Sequence, residues 1–124
     1  LNGVSVATPQ NVPASEKGKI QISSVGICAG SGGSMVGGLD VDLLFTGELS
    51  HHEALAAIEQ GRSVVTAFHS NTERHFQRGA MKKQLTRALA SELPGATPES
   101  DFQIATSQVD ADPYTIVPSG QMKW

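Results

Sequence analysis

Apolar and small residues alternate over residues 3–8, Gly-Val-Ser-Val-Ala-Thr, which is the period-2 pattern of a strand. Residues 9–18 are polar and carry Pro9, Asn11 and Pro13, so they read as a loop. A second strand is expected from residue 19 or 20 to Cys28, closing on Val25-Gly26-Ile27-Cys28. The run Gly30-Ser31-Gly32-Gly33-Ser34 follows as a loop, then a short helical stretch up to Gly37-Gly38. Asp42-Leu43-Leu44-Phe45-Thr46 reads as a buried strand bounded by Gly47, and residues 63–68 as another strand.

Two helices announce themselves by their starts. Ser50-His51-His52-Glu53 has the form of a capping box, with serine at the N-cap and glutamate three residues on. It opens a helix through Ala54, Leu55, Ala57 and Ile58 that stops at Gly61. Ser70-Asn71-Thr72-Glu73 repeats the pattern and predicts a longer helix, to about Leu93, ended by Pro94-Gly95. Its expected apolar stripe is Phe76, Ala80, Leu85, Ala88 and Leu89. Residues 102–107 predict a last clear strand, residues 114–117 a short one, and residues 118–124 an irregular tail.

Strands alternating with helices imply an α/β fold: a mixed, partly parallel sheet with helices packed on it, in one domain over residues 1–124. Three candidate parallel strands end at Cys28, Thr46 and Phe68. Crossover connections return the chain to the same starting edge, so those three ends share the opposite edge. The glycine-serine loop, Thr46-Gly47-Glu48 and the segment from His69 to Glu73 therefore converge where α/β sheets bind ligands.

Composition narrows the function classes. The formal charge of −3 argues against general nucleic-acid binding. No apolar run reaches the length of a membrane span. Charged residues make up only 17%, below the usual value of about 25%, which suggests surface covered by another subunit or a further segment. The single cysteine, Cys28, excludes an internal disulfide and fits a reducing compartment: cytoplasmic, nuclear or mitochondrial. The chain opens on Leu1 and reaches a strand at once, as expected of the C-terminal piece of a longer polypeptide.

His69 and Glu73 carry the sharpest chemistry. Helical spacing of four puts an imidazole and a carboxylate on one face, where both could grip one cation. Zinc, iron and manganese accept such ligands, although two ligands alone make a poor site. Helix capping is by itself a sufficient reason for Glu73, and from the residues alone the stronger one, but it does not call for a histidine just before the serine. Glu48 could serve as a general base beside a metal or accept from helix N–H groups. His51 and His52 are adjacent, so they point about 100° apart and make an awkward pair for one ion. The loop at Gly30, Ser31 and Gly32 is either an anion cradle or a tight turn with close backbone packing. Arg74, Arg78, Lys82, Lys83 and Arg87 form a basic stripe, a solvated face or a phosphate-binding one.

Three ordered motifs carry a resemblance. Val25-Gly26-Ile27-Cys28-Ala29-Gly30-Ser31-Gly32, Thr46-Gly47-Glu48-Leu49-Ser50-His51-His52 and His69-Ser70-Asn71-Thr72-Glu73-Arg74 resemble, in order and spacing, the NIF-three-like family, named for the NGG-one-interacting factor three. The match runs from about residue 20 to 117, includes the ending Asp110-Ala111-Asp112-Pro113, and is closer in wording to eukaryotic members. The resemblance implies the C-terminal part of that fold, a two-metal site (Zn, Fe or Mn) in a cleft, and usually hexameric homo-oligomers. His69 and Glu73 match the family's C-terminal ligands; Glu48 and His52 match positions near the site. The family's other ligands, a His-His pair and an aspartate in its N-terminal half, have no counterpart in this chain. The implied function is a metal-dependent, hydrolase-like protein of unknown substrate, also known under a GTP cyclohydrolase label by similarity. The alternative is a metal-stabilised interaction or regulatory protein that binds a transcriptional coregulator.

Overall fold

The computed structural model describes residues 3–93, 95, 101–114 and 117. Among the described residues four strands form one sheet: β1 (Ser5–Ala7), β2 (Val25–Ser31), β3 (Leu43–Glu48) and β4 (Ser63–Thr66). Their order is β1-β4-β3-β2, so β3 and β4 lie inside and β1 and β2 at the edges. β2, β3 and β4 are parallel, and β1 runs antiparallel to β4. The mixed α/β sheet expected from the sequence is thus present, with the ends of its parallel strands on one edge.

Helix α1 (Gly33–Val36) lies between β2 and β3, and α2 (His51–Glu59) between β3 and β4. One face of the sheet packs under them. Val36, Leu44, Ala57 and Val64 form the buried core, with Ala7, Cys28, Val41 and Leu49 packed against it. Strand alternation sends the remaining apolar residues to the other face. There the register aligns Val6, Val65, Phe45 and Ile27 in a row across all four strands. Ile27 is 72% exposed and Val6 62%, so at both edges this row is open to solvent.

The first capping box forms as expected. The Ser50 hydroxyl accepts from the Glu53 N–H at 3.3 Å, and the Glu53 carboxylate accepts from the Ser50 N–H at 2.8 Å. Gly61 ends the connection in the left-handed region, at φ +82°, where glycine carries no Cβ penalty.

Several expected boundaries are corrected. Residues Ala14–Lys19 form a 3-10 turn, and β2 begins only at Val25. What holds the strand start is Asp42, whose carboxylate accepts from the Ser23 N–H, the Ser24 N–H and the Ser24 hydroxyl, each at 2.9 Å. Those bonds keep the Asp42 carboxyl below the usual carboxylate range, the Ser23 bond foremost. At its other end β2 runs through Gly30 and Ser31, which the sequence reading placed in a loop.

The long helix starts two residues early, its N-cap at Phe68 instead of Ser70. Helix α3 (His69–Phe76) passes through a widened turn (Gln77–Met81) into α4 (Lys82–Glu92). Its N-cap is Phe68, and no side chain caps it, so the second capping box does not form. The predicted stripe is not core either: Phe76 and Leu85 are 48% and 45% exposed. α3 lies against β2 and β3, whereas α4 packs chiefly on the turn before it.

Residues 102–107 keep the alternating burial of a strand, Phe102, Ile104 and Thr106 being the half-buried positions, yet they are irregular. A period-2 pattern becomes a strand only with a ladder partner, and none of the described strands pairs with this segment. Tyr114 and Val117 are not in a strand; residues 115–116 and the tail 118–124 lie outside the described residues. Among the described residues no helix is long and apolar enough to cross a membrane.

Leu44 is 1% exposed at the centre of the core. Leu44→Ala should therefore destabilise the fold by roughly 2–5 kcal/mol, the usual range for a deeply buried leucine, measured by urea denaturation.

Candidate functional site

The ends of β2, β3 and β4 bring the three sequence motifs together. Glu48 is the last residue of β3, and His69 opens α3 just after β4. His69 Nδ1 lies 2.8 Å from Glu48 Oε1, and Nε2 lies 3.3 Å from Glu73 Oε2. The imidazole is therefore held between two carboxylates on its two nitrogens. All three side chains are roughly half exposed and border a cleft of about 1020 Å³, shared with Arg74, Asp110 and Tyr114.

Backbone geometry explains how the pair forms. Phe68 sits at φ 66° and ψ 143°, a conformation that costs a non-glycine residue about 1–3 kcal/mol. This kink makes His69 the first helical residue, so that Glu73 stands one turn above it. Beneath the pair, β2 carries one residue more than β3: Cys28 pairs with Thr46 and Ser31 with Glu48. That bulge holds Gly30 at φ +65°.

Two threonines fasten the bulge. The buried Thr46 hydroxyl donates to the Gly30 carbonyl at 3.1 Å. The Gly30 N–H donates to the Thr72 hydroxyl at 2.9 Å, and that hydroxyl donates to the His69 carbonyl at 2.8 Å. Sequence reasoning missed both threonines. Their only signal was that Thr46 closes an otherwise apolar strand and Thr72 lies within the His-to-Glu segment.

A second network flanks the cleft. The Arg74 guanidinium donates to both carboxylate oxygens of Asp110, at 2.8 and 3.0 Å, and to the Ala111 carbonyl at 2.8 Å. Arg78 adds an ion pair to Asp110 at 3.5 Å. These contacts hold the Asp110 carboxyl below the usual range, Arg74 first. Asp112 is also lowered, chiefly by the Ser70 hydroxyl and then by the Tyr114 N–H. Arg74 of α3 and Arg78 of the following turn thus hold the 110–114 segment, while Lys82, Lys83 and Arg87, exposed like Arg78, continue the basic stripe.

Other candidate residues fall elsewhere. His52 is exposed on the first turn of α2, edge-on to His51 with ring centres 5.7 Å apart, and does not border the cleft. Ser31 completes the β2–β3 ladder. Gly32 precedes α1, and the Thr46 side chain fills the space where its Cβ would stand.

The donor chemistry can be tested against a metal. Zinc–ligand distances of about 2.0–2.1 Å in tetrahedral geometry imply a ligand–ligand separation of roughly 3.3–3.4 Å. The 3.3 Å between His69 Nε2 and Glu73 Oε2 fits one edge of such a site. Among the described residues no group of three or more His, Cys, Asp or Glu side chains is placed to hold one ion. The pair fits; a full ligand set is not assembled here.

The fold is thus of the α/β class, a mixed sheet whose parallel-strand edge carries an imidazole–carboxylate pair. The chain belongs to the Duf34/NIF3 (NGG1p interacting factor 3) family, whose model matches residues 3–113. It is 47% identical over 115 residues to the Protein NIF3 homolog of Schizosaccharomyces pombe, covering 93% of this chain and 37% of that protein. Against NIF3-like protein 1 of Homo sapiens the identity is 41% over 97 residues, covering 78% of this chain and 23% of that protein. The crystal structure of a Bacillus cereus protein related to NIF3 superposes with a TM-score of 0.64 at 22% identity, covering 93% of this chain and 28% of that one. The chain therefore corresponds to a minor part of the length of its relatives.

The Glu48 hydrogen bond, more than the Glu73 charge, raises the His69 pKa above its ordinary 6.5, against a desolvation that lowers it. Because folding raises this pKa, the associated stability is fully present below the unfolded value and is lost as pH rises through the folded one. In metal-free protein, the His69 ring protons followed by NMR should titrate above 6.5. Glu48→Gln should move that midpoint down; an unmoved midpoint would exclude Glu48 as the main cause.

Proposed function

We propose that this chain supplies part of a divalent-metal site in a metal-dependent, hydrolase-like protein of the NIF3 family, with His69 and Glu73 as ligands. The observation that carries the reading is the engagement of His69 on both ring nitrogens, 2.8 Å from Glu48 and 3.3 Å from Glu73. A neutral imidazole that donates Nδ1–H to a carboxylate keeps its lone pair on Nε2. Glu48 thereby selects the tautomer and ring orientation that turn Nε2 toward Glu73, a common arrangement around metal-ligating histidines. In this reading Glu48 acts by orienting His69.

A divalent cation of the zinc, iron or manganese type, when bound, supplies Lewis-acid polarisation of a substrate oxygen and activation of water. This chain's residues contribute a nitrogen and a carboxylate donor at one side of an open cleft. The remaining ligands of a two-metal site, a histidine pair and an aspartate, are assigned to polypeptide beyond these 124 residues. Homo-oligomeric, hexameric assembly belongs to the same proposal.

Metal content by elemental analysis and hydrolysis of phosphoester and nucleotide substrates, on the full-length protein, test this reading. His69→Ala and Glu73→Ala should each lose bound metal and activity together. Glu48→Gln should weaken metal affinity by roughly 10- to 100-fold, as second-layer partners of metal-bound histidines do. Full metal occupancy in His69→Ala would sink the assignment.

A further inference from the structure

We propose that Gly30 is a positioning residue for the His69–Glu73 pair, a seat in the bulge of β2 that only glycine can form. The proposal rests on the metal reading above and extends it to a residue on a different strand. Three observations converge on it. First, Gly30 adopts φ +65°, the left-handed region that side-chain-bearing residues avoid. Second, both of its peptide groups are fixed by hydroxyls, the carbonyl by Thr46 and the N–H by Thr72. Third, the space above its Cα is already taken by the pair itself.

The third point is quantitative. A Cβ built on Gly30 would stand 2.5 Å from Glu73 Oε1, 3.1 Å from His69 Nε2 and 3.2 Å from Glu73 Cδ. Two of these three atoms belong to the Glu73 carboxyl, and the third is the nitrogen facing it. The lower boundary of the pair is thus backbone, not side chain. Because the Glu73 carboxyl is the end of a flexible side chain, an added methyl would displace it without requiring the sheet to open. The fold would survive while the 3.3 Å geometry of the donor pair would not.

Thr72 makes the coupling reciprocal. Its hydroxyl receives the Gly30 N–H and donates to the His69 carbonyl, so one side chain sets the height of the helix start above the bulge. A bulge beside a functional site that re-aims neighbouring side chains is a recurrent use of the extra residue. Gly61 provides the control for backbone strain, since it has φ +82° and open space around its Cβ position among the described residues.

The test compares Zn²⁺ affinity by isothermal titration calorimetry with the His69 ring-proton resonances of metal-free, full-length protein. Gly30→Ala should weaken Zn²⁺ binding by roughly tenfold or more and shift the His69 resonances. Gly61→Ala, which carries the strain alone, should leave both near wild type. Thr72→Val should follow Gly30→Ala, and Thr72→Ser, which keeps the hydroxyl, should restore affinity and resonances. Wild-type affinity and an unshifted His69 spectrum in Gly30→Ala would overturn the proposal; if that variant does not fold, wild-type behaviour of Thr72→Val does so. If His69→Ala and Glu73→Ala bind Zn²⁺ as the wild type does, the metal reading fails instead. The His69 resonances then decide the role of Gly30 alone.

Discussion

The arrangement depends on β3 being paired in parallel on both sides. β2 and β4 are hydrogen-bonded to it in register, so Cys28, Thr46 and Thr66 reach the same level before the strands diverge. Leu44 and Thr46, on the helix-covered face, are 1% and 0% exposed. The first anchors the strand through apolar packing. The second places a hydroxyl in a buried position where it must find a partner, and it finds the Gly30 carbonyl. Parallel pairing therefore does more than collect three loops on one edge: it makes β3 the common reference against which the bulge of β2 and the start of α3 are both set.

Rigidity and exposure are divided sharply along the chain. The helix-covered face holds a small core, while the row Val6, Val65, Phe45, Ile27 on the other face is open at its ends. Parallel strands usually occur in sheets covered on both faces. The cleft lies on the strand-end edge, between these two regimes, and its side chains are half exposed. In such partly solvated surroundings, charge pairs gain less than in a dry interior, so the His69 geometry relies on hydrogen-bond direction and backbone shape more than on Coulomb attraction. Arg74 shows the same economy, its planar fork matching both oxygens of Asp110.

Much of this was legible in the sequence, for identifiable reasons. Strand existence and direction followed from the alternation of apolar strands with helices. The convergence of Glu48, His69 and Glu73 followed from strand order alone. Boundaries were less legible where a long-range partner decides them. β2 starts late because Asp42, 18 residues from Ser24, fixes its first ladder step. Residues 102–107 have strand periodicity, but periodicity cannot reveal whether a pairing edge is within reach. Arg74 read as part of a solvated stripe because its partners are 36 and 37 residues away. The glycine-serine run was ambiguous in sequence, since an anion cradle and a tightly packed bulge both call for glycine at position 30.

The two capping boxes show where local rules give way. Ser50-His51-His52-Glu53 and Ser70-Asn71-Thr72-Glu73 share one pattern, yet only the first forms. At Ser50 the preceding chain is extended, with φ −66° and ψ 160° at the cap, so both reciprocal bonds close locally. At Ser70 the kink at Phe68 has already begun the helix, and one tertiary contact and one within α3 draw the would-be cap apart. Ser70 meets Asp112, and Glu73 turns to the His69 nitrogen above Gly30. A capping box stabilises a helix start by about 1 kcal/mol, comparable to the strain accepted at Phe68. Forgoing one and bearing the other is a local deficit at the start of α3, set against the Thr72 hydroxyl on the His69 carbonyl and the His69–Glu73 pair. Such deficits concentrate where the surrounding structure imposes a geometry for use. The carboxylate released from capping duty is the one that faces His69 Nε2 across 3.3 Å.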